Sequence, residues 1–236
     1  MLVEIWSDVV CPWCYIGKRR FEAALERFEH ADEVEVRWRS FELDPRAPFR
    51  RPGTMADHIA AKYGVSREEA AARLESMNRL AAQEGLTYDL ARTQGGNTFD
   101  AHRLIHLGYS KDGETGAALK EALLEAYFVD LLPVSEPDVL VETGRRAGLD
   151  AGEISAMLDS ERFAAEVRAD EVDATRLGCT GVPFFVIDRA FAIPGAQDSD
   201  TFLLTLRRAW ERSHPARPET VTAQPGAECT DGDCPI

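Results

Sequence analysis

Two cysteines, Cys11 and Cys14, stand in the stretch SDVVCPWCYIGKRR (Ser7–Arg20) with only Pro12 and Trp13 between them. That spacing suits a thiol–disulfide pair, half of a zinc site, or a helix start that happens to contain sulfur. Proline is favoured at the first position of a helix, where its missing N–H costs nothing. Pro12 therefore predicts a helix beginning there, with Cys11 as N-cap and Cys14 inside the first turn. Unpaired backbone N–H groups and the positive end of the helix dipole would then face the Cys11 sulfur. Such a setting lowers a thiol pKa from about 8.5 into the range ~3.5–7.5. The spacing thus predicts an exposed nucleophile, Cys11, titrating below an ordinary thiol, and a sheltered resolving thiol, Cys14.

The other readings can be weighed against the rest of the chain. Zinc wants a second ligand pair at matching spacing. Cys179 stands alone, and Cys229 and Cys234 lie in a Pro-rich polar tail. His102 and His106 are four residues apart on a predicted helix, a metal-ligand spacing, but no third ligand accompanies them. His106 reads as structural. Cys179, four residues before Pro183, reads as a small buried hydrophobe, with exchange with the Cys11–Cys14 pair as the rival reading. The segment Gln94–Asn97 (QGGN) has no strand before it, so it is not read as a phosphate loop. Lys18, Arg19 and Arg20 read as a solvated face. No metal and no bound cofactor are expected.

The elements that must position the pair follow from periodicity. Leu2–Trp6 is apolar and suits a buried strand. Beyond Tyr15, the residues Phe21, Leu25 and Phe28 recur at helical spacing. Val34, Val36 and Trp38 alternate with charged residues and predict a second strand. Strand, helix, strand with short connections is a βαβ unit with a parallel pair, and C-x-x-C beside it reads as thioredoxin-like. Asp44–Pro52 is a loop with three prolines. Helical patterns then cover Met55–Tyr63, Arg67–Glu84, Phe99–Leu107, Gly116–Leu131, Pro137–Ala147 and Glu153–Leu177, with Ser66 and Glu69 as a capping box. Strand character returns at Pro183–Asp188 and Ala190–Gly195 as a hairpin, followed by an amphipathic helix from about Asp198 to Ser213. The expected fold class is α/β: a thioredoxin fold split into residues 1–50 and 178–214, a large all-helical insertion over 51–177, and a flexible tail over 215–236.

Composition narrows the function. A net charge of −14 argues against a general nucleic-acid binder, which needs clustered Lys and Arg. The N-terminus lacks the pattern of a secretion signal, and no apolar run reaches membrane-span length. The cytoplasm is therefore the expected compartment. Disulfides there are mostly transient, catalytic or sensing.

The chain resembles the DsbA family of thiol oxidoreductases, in its FrnE-like branch, which is related to 2-hydroxychromene-2-carboxylate isomerases and kappa-class glutathione transferases. The residues that carry the resemblance are Ser7-Asp8 with Cys11-Pro12-Trp13-Cys14, Asn97-Thr98 with Ala101-His102-Arg103, Gly181-Val182-Pro183-Phe184-Phe185, and Gly195-Ala196-Gln197. They occur in the family's order over about residues 1–213. The resemblance implies that Pro183 is cis and faces the cysteine pair, and that the Val182 backbone pairs with a substrate chain. It further implies substrate contacts at Pro12, Trp13, Asn97 and His102, with His102 near the rim of the site. Trp13 stands where better-known periplasmic members have His, so the pair is expected to be less oxidising than theirs. The expected activity is protein thiol–disulfide exchange on disulfide- or thiol-containing proteins, with glutathione or another thiol reductant as co-substrate. The rival is a glutathione-dependent small-molecule isomerase or transferase, although those relatives usually carry Ser at the position of Cys11. Cys229 and Cys234 are expected to form a second redox pair, spaced by turn-forming residues and tethered within reach of the first.

Overall fold

The computed structural model describes residues 1–215. The first strand, β1 (Leu2–Ser7), leads through a short turn into helix α1 (Pro12–Leu25), and the chain returns in β2 (Glu35–Ser40). β1 and β2 pair in parallel from Leu2↔Glu35 to Ser7↔Ser40. After seven intervening helices, β3 (Phe184–Ile187) and β4 (Phe191–Pro194) complete a four-stranded sheet of order β2-β1-β3-β4. β3 runs antiparallel to both β1 and β4. A closing helix, α9 (Ser199–Ser213), starts on Asp198, whose carboxylate accepts from the Thr201 amide at 2.8 Å. This is the α/β arrangement that the resemblance implies.

The sheet is buried on both faces because its strands carry apolar side chains in both directions. On one face Val3, Ile5, Phe185 and Ile187 pack with Phe21 and Ala24 of α1 and with Phe202 and Leu206 of α9. On the other, Trp6, Phe184 and Val186 pack against Ala174. The Trp6 indole also donates to the Asp170 carbonyl at 2.8 Å, which satisfies its buried N–H.

The intervening helices are α2 (Met55–Tyr63), α3 (Arg67–Gln83), α4 (Phe99–Tyr109), α5 (Gly113–Phe128), α6 (Pro137–Arg146), α7 (Ala151–Leu158) and α8 (Ala164–Arg176). Their core, which includes Leu104, Leu119, Leu123 and Phe128, also takes in Tyr15 and Ile16 of α1. Ser66 caps α3 by accepting from the Glu69 amide at 3.1 Å, while the Glu69 carboxylate turns to Arg73. The reciprocal capping box occurs instead at Thr54 and Asp57, ahead of α2.

The single helix expected over Glu153–Leu177 is two helices, α7 and α8. Phe163 between them adopts a left-handed conformation, φ 66°. Arg103 of α4 explains the break. Its guanidinium, buried in the core, donates to the carbonyls of Met157, Ser160 and Arg162, holding groups that a continuous helix would have used internally. The expected solvated face at Lys18–Arg20 is also corrected. Lys18 is buried and paired with Glu22 and Glu121, Arg19 pairs with Glu121, and Arg20 binds Glu84 and the Ala196 carbonyl. Among the described residues no helix is long and apolar enough to cross a membrane. Cys229 and Cys234 lie outside the described residues.

Candidate active site

Cys11 is the N-cap of α1, with φ −91° and ψ 114°, and Pro12 occupies the first helical position. The Cys14 amide donates to the Cys11 carbonyl at 3.0 Å, closing the first turn. Both cysteines are free thiols. Above them lies the loop before β3, in which the Val182–Pro183 peptide bond is cis. The Cys11 thiol donates to the Val182 carbonyl at 3.6 Å. Gly17, one turn past Cys14, lets this loop approach: a Cβ at Gly17 would sit 2.9 Å from Pro183 Cγ and 3.3 Å from Ala196 Cβ. The Pro183 carbonyl in turn accepts from the Gly195 amide at 2.8 Å, tying the loop to the end of β4.

Cys11 is not the exposed thiol that the spacing predicted. It is only 3% exposed, because the Val182 loop covers it, and Cys14 is fully buried. Of the two thiols, Cys14 is the one at which ionisation is favoured. Burial opposes it there, but the neighbouring Cys11 thiol, the Lys120 ammonium and Ser7 outweigh burial and bring the Cys14 thiol below its ordinary value. The buried Ser7 Oγ has no hydrogen-bond partner among the described residues. The neighbouring Cys14 thiol, together with burial, pushes Cys11 well above its ordinary value. The expectation of a low-titrating Cys11 is thus corrected for the resting dithiol.

Beneath the pair is a buried polar cluster. Asp8 accepts from the Leu43 amide at 2.7 Å and lies 3.3 Å from His102 Nε2. Burial works against its charge, but His102, the Leu43 amide and Lys120 together hold the carboxyl below the usual range. Lys120, on α5, donates to the Ser7 carbonyl at 3.1 Å and is buried. Tyr88 donates to the Pro12 carbonyl at 3.1 Å, and burial followed by the charge of the pair pushes its phenol up, so it stays protonated.

A cavity of about 940 Å³ opens beside Cys11, Pro12, Trp13 and Val182. Val10, Leu43, Met55, Ile59, Leu74 and Met77 make it apolar, and α2 and α3 roof it. Arg51, His58, Lys62 and Arg73 add a basic wall opposed by Asp44. Trp13 is 41% exposed, its ring part of the rim.

Two of the expected substrate contacts lie elsewhere. His102 is fully buried beneath Asp8 rather than on the rim, because its ring completes the Asp8 hydrogen bonding. The Asn97 side chain turns back to accept from the Phe99 amide at 2.9 Å and does not line the cavity, whereas its neighbours Gly96 and Thr98 do. Gly96 is required because a Cβ there would sit 2.4 Å from the Phe49 carbonyl. The rings of His102 and His106 take different partners: His106 Nε2 lies 3.1 Å from Ser40 Oγ and 3.1 Å from Asp170 Oδ2. Cys179 is half-buried and donates to the Gly181 carbonyl at 3.3 Å, beside the loop that covers Cys11.

Lys120 was not singled out from the sequence, although a signal was there. Gly116, Lys120, Leu123, Leu124 and Tyr127 fall on one stripe of α5, so a lysine occupies a position whose neighbours are all core residues.

The model of the DSBA-like thioredoxin domain matches residues 2–207 of the chain. The chain belongs to that family. As a family member it is a thiol–disulfide oxidoreductase of the DsbA type. A crystal structure of a probable DsbA oxidoreductase from Streptomyces coelicolor is 43% identical, with 98% of this chain and 100% of that one covered and a TM-score of 0.85. An uncharacterized protein of Bacillus subtilis (strain 168), YwbO, is 26% identical over 207 residues, covering 85% of this chain and 92% of its own length. A 2-hydroxychromene-2-carboxylate isomerase shares the fold at 14% identity, with 91% of this chain and 98% of that one covered and a TM-score of 0.63.

Proposed function

We propose that the protein exchanges disulfides with protein substrates through Cys11 and Cys14. The observation that carries this is the placement of two free thiols at the start of α1, under the Val182 carbonyl and at the mouth of an apolar cavity. In the reductive direction the dithiol reacts after the Cys11 thiol gives up its proton. The Cys11 thiolate attacks one sulfur of the substrate disulfide, forming a mixed disulfide and releasing a substrate thiolate that takes up a proton. Cys14, deprotonated in turn, attacks the Cys11 sulfur, and the second substrate sulfur leaves as a thiol. Two electrons and two protons have then moved to the substrate, and the pair is a disulfide.

Pro12, Trp13 and Val182 border the entry to Cys11 and would meet the substrate chain, while Pro183 holds the loop that presents the Val182 carbonyl. Glutathione or another small thiol returns the pair to the dithiol, its carboxylates meeting the basic wall at Arg51, Lys62 and Arg73. We place this cycle in the cytoplasm, where a reducing thiol pool maintains the dithiol. Cell fractionation with redox-state trapping of the pair tests that placement.

The test of the reaction is insulin reduction with and without glutathione. Cys11→Ser is expected to abolish exchange, and Cys14→Ser to accumulate mixed disulfides at Cys11. Full activity of Cys11→Ser would overturn the assignment. The size and apolar lining of the cavity favour one second reading, a glutathione-dependent isomerase acting on a small aromatic substrate. It predicts turnover that survives Cys14→Ser, because that chemistry needs no resolving thiol.

A further inference from the structure

The cover over Cys11 is tied to the inserted helices through one arginine. Arg20, on α1, donates from Nη1 to the Ala196 carbonyl at 2.8 Å. Its Nε donates to the Glu84 carboxylate at 2.6 Å. Glu84 is the C-cap of α3, so a single guanidinium joins the insertion to the turn that follows β4. That turn holds the Val182 loop, because the Gly195 amide donates to the Pro183 carbonyl at 2.8 Å. Ala196 and Pro183 also meet the same patch of α1, at Gly17. The Arg20 and Glu84 side chains are both half-buried.

A second hold comes from the same place. Just past Glu84, the Tyr88 hydroxyl donates to the carbonyl of Pro12, which stands between the two cysteines, at 3.1 Å. The exit of α3 therefore grips both sides of the gap in which Cys11 lies. Tyr88 fixes the cysteine turn, while Glu84 fixes the loop over it by way of Arg20 and Ala196. The middle of α3 belongs to the cavity, whose lining includes Arg73, Leu74 and Met77. A guanidinium suits the tie, since its rigid fork holds a carboxylate and a carbonyl at once in fixed geometry.

We propose that Arg20 is a positioning residue for disulfide exchange, setting the gap between Cys11 and the Val182 carbonyl by tying the Ala196 turn to Glu84 of the insertion. The inference rests on the reading of Cys11 as the reacting thiol. With the tie in place the loop covers Cys11 and presents the Val182 backbone to a substrate chain. Without it, two consequences run in opposite directions. A protein substrate loses a fixed docking edge, so exchange slows. A small alkylating reagent needs no docking edge and meets a less covered sulfur, so labelling of Cys11 quickens. Unfolding would instead expose Cys14 as readily as Cys11.

The test compares the full chain as wild type, Arg20→Met and Arg20→Lys. Methionine keeps the apolar stem and removes both hydrogen bonds, whereas lysine keeps the charge but lacks the fork. Insulin reduction by Arg20→Met should fall about tenfold, the share of one hydrogen bond from a charged donor, with Arg20→Lys between it and wild type. Iodoacetamide labelling of Cys11, located by tandem mass spectrometry, should rise about tenfold at every pH while Cys14 stays protected. A shifted thiol titration would move only the midpoint of that rate profile, so the profile separates cover from charge. Arg20→Lys carries the same comparison if Arg20→Met does not fold.

Cys11 labelling at the wild-type rate in Arg20→Met overturns the proposal, and so does labelling of Cys11 and Cys14 that rises together. Glu84→Leu supplies a second arm. It should weaken insulin reduction in the wild-type background and change nothing further in Arg20→Met, because both residues act along one tie. Two effects that multiply independently also overturn the proposal. Undiminished insulin reduction by Arg20→Met sinks this inference alone. If the wild-type protein reduces no insulin, the proposed function falls, and the labelling rates still decide whether Arg20 holds the loop.

Discussion

Gly17→Ala tests how the Val182–Pro183 loop is held over the pair. In the middle of an exposed helix this change stabilises by about 1 kcal/mol, because alanine loses less backbone freedom. Here the new methyl would lie 2.9 Å from Pro183 Cγ and 3.3 Å from Ala196 Cβ, and neither neighbour is the far end of a flexible side chain. Overpacking of this kind costs about 1–3 kcal/mol, so the net effect should be a loss of roughly 0–2 kcal/mol. The loop must retreat from α1, and the Cys11–Val182 hydrogen bond, already 3.6 Å, has little length to spare. Insulin reduction should fall more than stability does, by up to about 100-fold. Urea unfolding of Gly17→Ala gives the first quantity and single-turnover exchange the second. Gly113→Ala serves as control, since nothing lies within 4 Å of a Cβ there. A Gly17→Ala protein that gains the full helix term and exchanges at the wild-type rate would refute this account of the loop.

Two further outcomes are expected. Asp8 has a folded pKa below its unfolded value of about 3.9, so its contribution is complete above that pH and is lost as pH falls through the folded value. Asp8→Asn should therefore flatten the acid limb of the stability curve, measured by urea midpoints from neutral pH to about pH 3, and parallel curves would contradict this. Arg103→Met should cost about 3 kcal/mol or more, because three backbone carbonyls lose a buried charged donor. Hydrogen exchange should show the α7–α8 junction opening first, and uniform protection across that segment would count against it.

How far the sequence reached depended on whether the deciding contact was local. Pro12 and Cys11 set the start of α1 within four residues, and the parallel pairing of β1 with β2 followed from the short connections. The same holds for the β3–β4 hairpin. The family resemblance pointed to the loop at Pro183, which local pattern would not have. Most of the failures involve a distant partner; Asn97, whose partner is the Phe99 amide two residues on, is the local exception. The break at Phe163 depends on Arg103, some sixty residues earlier in the chain. The burial of Cys11 depends on Val182, and the lowered titration of Cys14 draws on Lys120. His102 looked like a rim residue until its partnership with Asp8 was seen, and Asn97 until its side chain was found on the Phe99 amide. Lys18–Arg20 looked solvated because Glu84 and Glu121, which neutralise them, come from other helices.

Helix α1 has one side in each of two cores. Phe21 and Ala24 belong to the core beneath the sheet, while Tyr15 and Ile16 belong to the core of the inserted helices. Cutting out residues 51–177 and rejoining the ends would therefore not yield a smaller thioredoxin. It would strip the cover from the first turns of the helix that begins at the cysteines, and remove Lys120 as well. In evolutionary terms, the insertion and its host can no longer be exchanged as separate modules. A change that suits one must be tolerated by the other through the single helix they both grip.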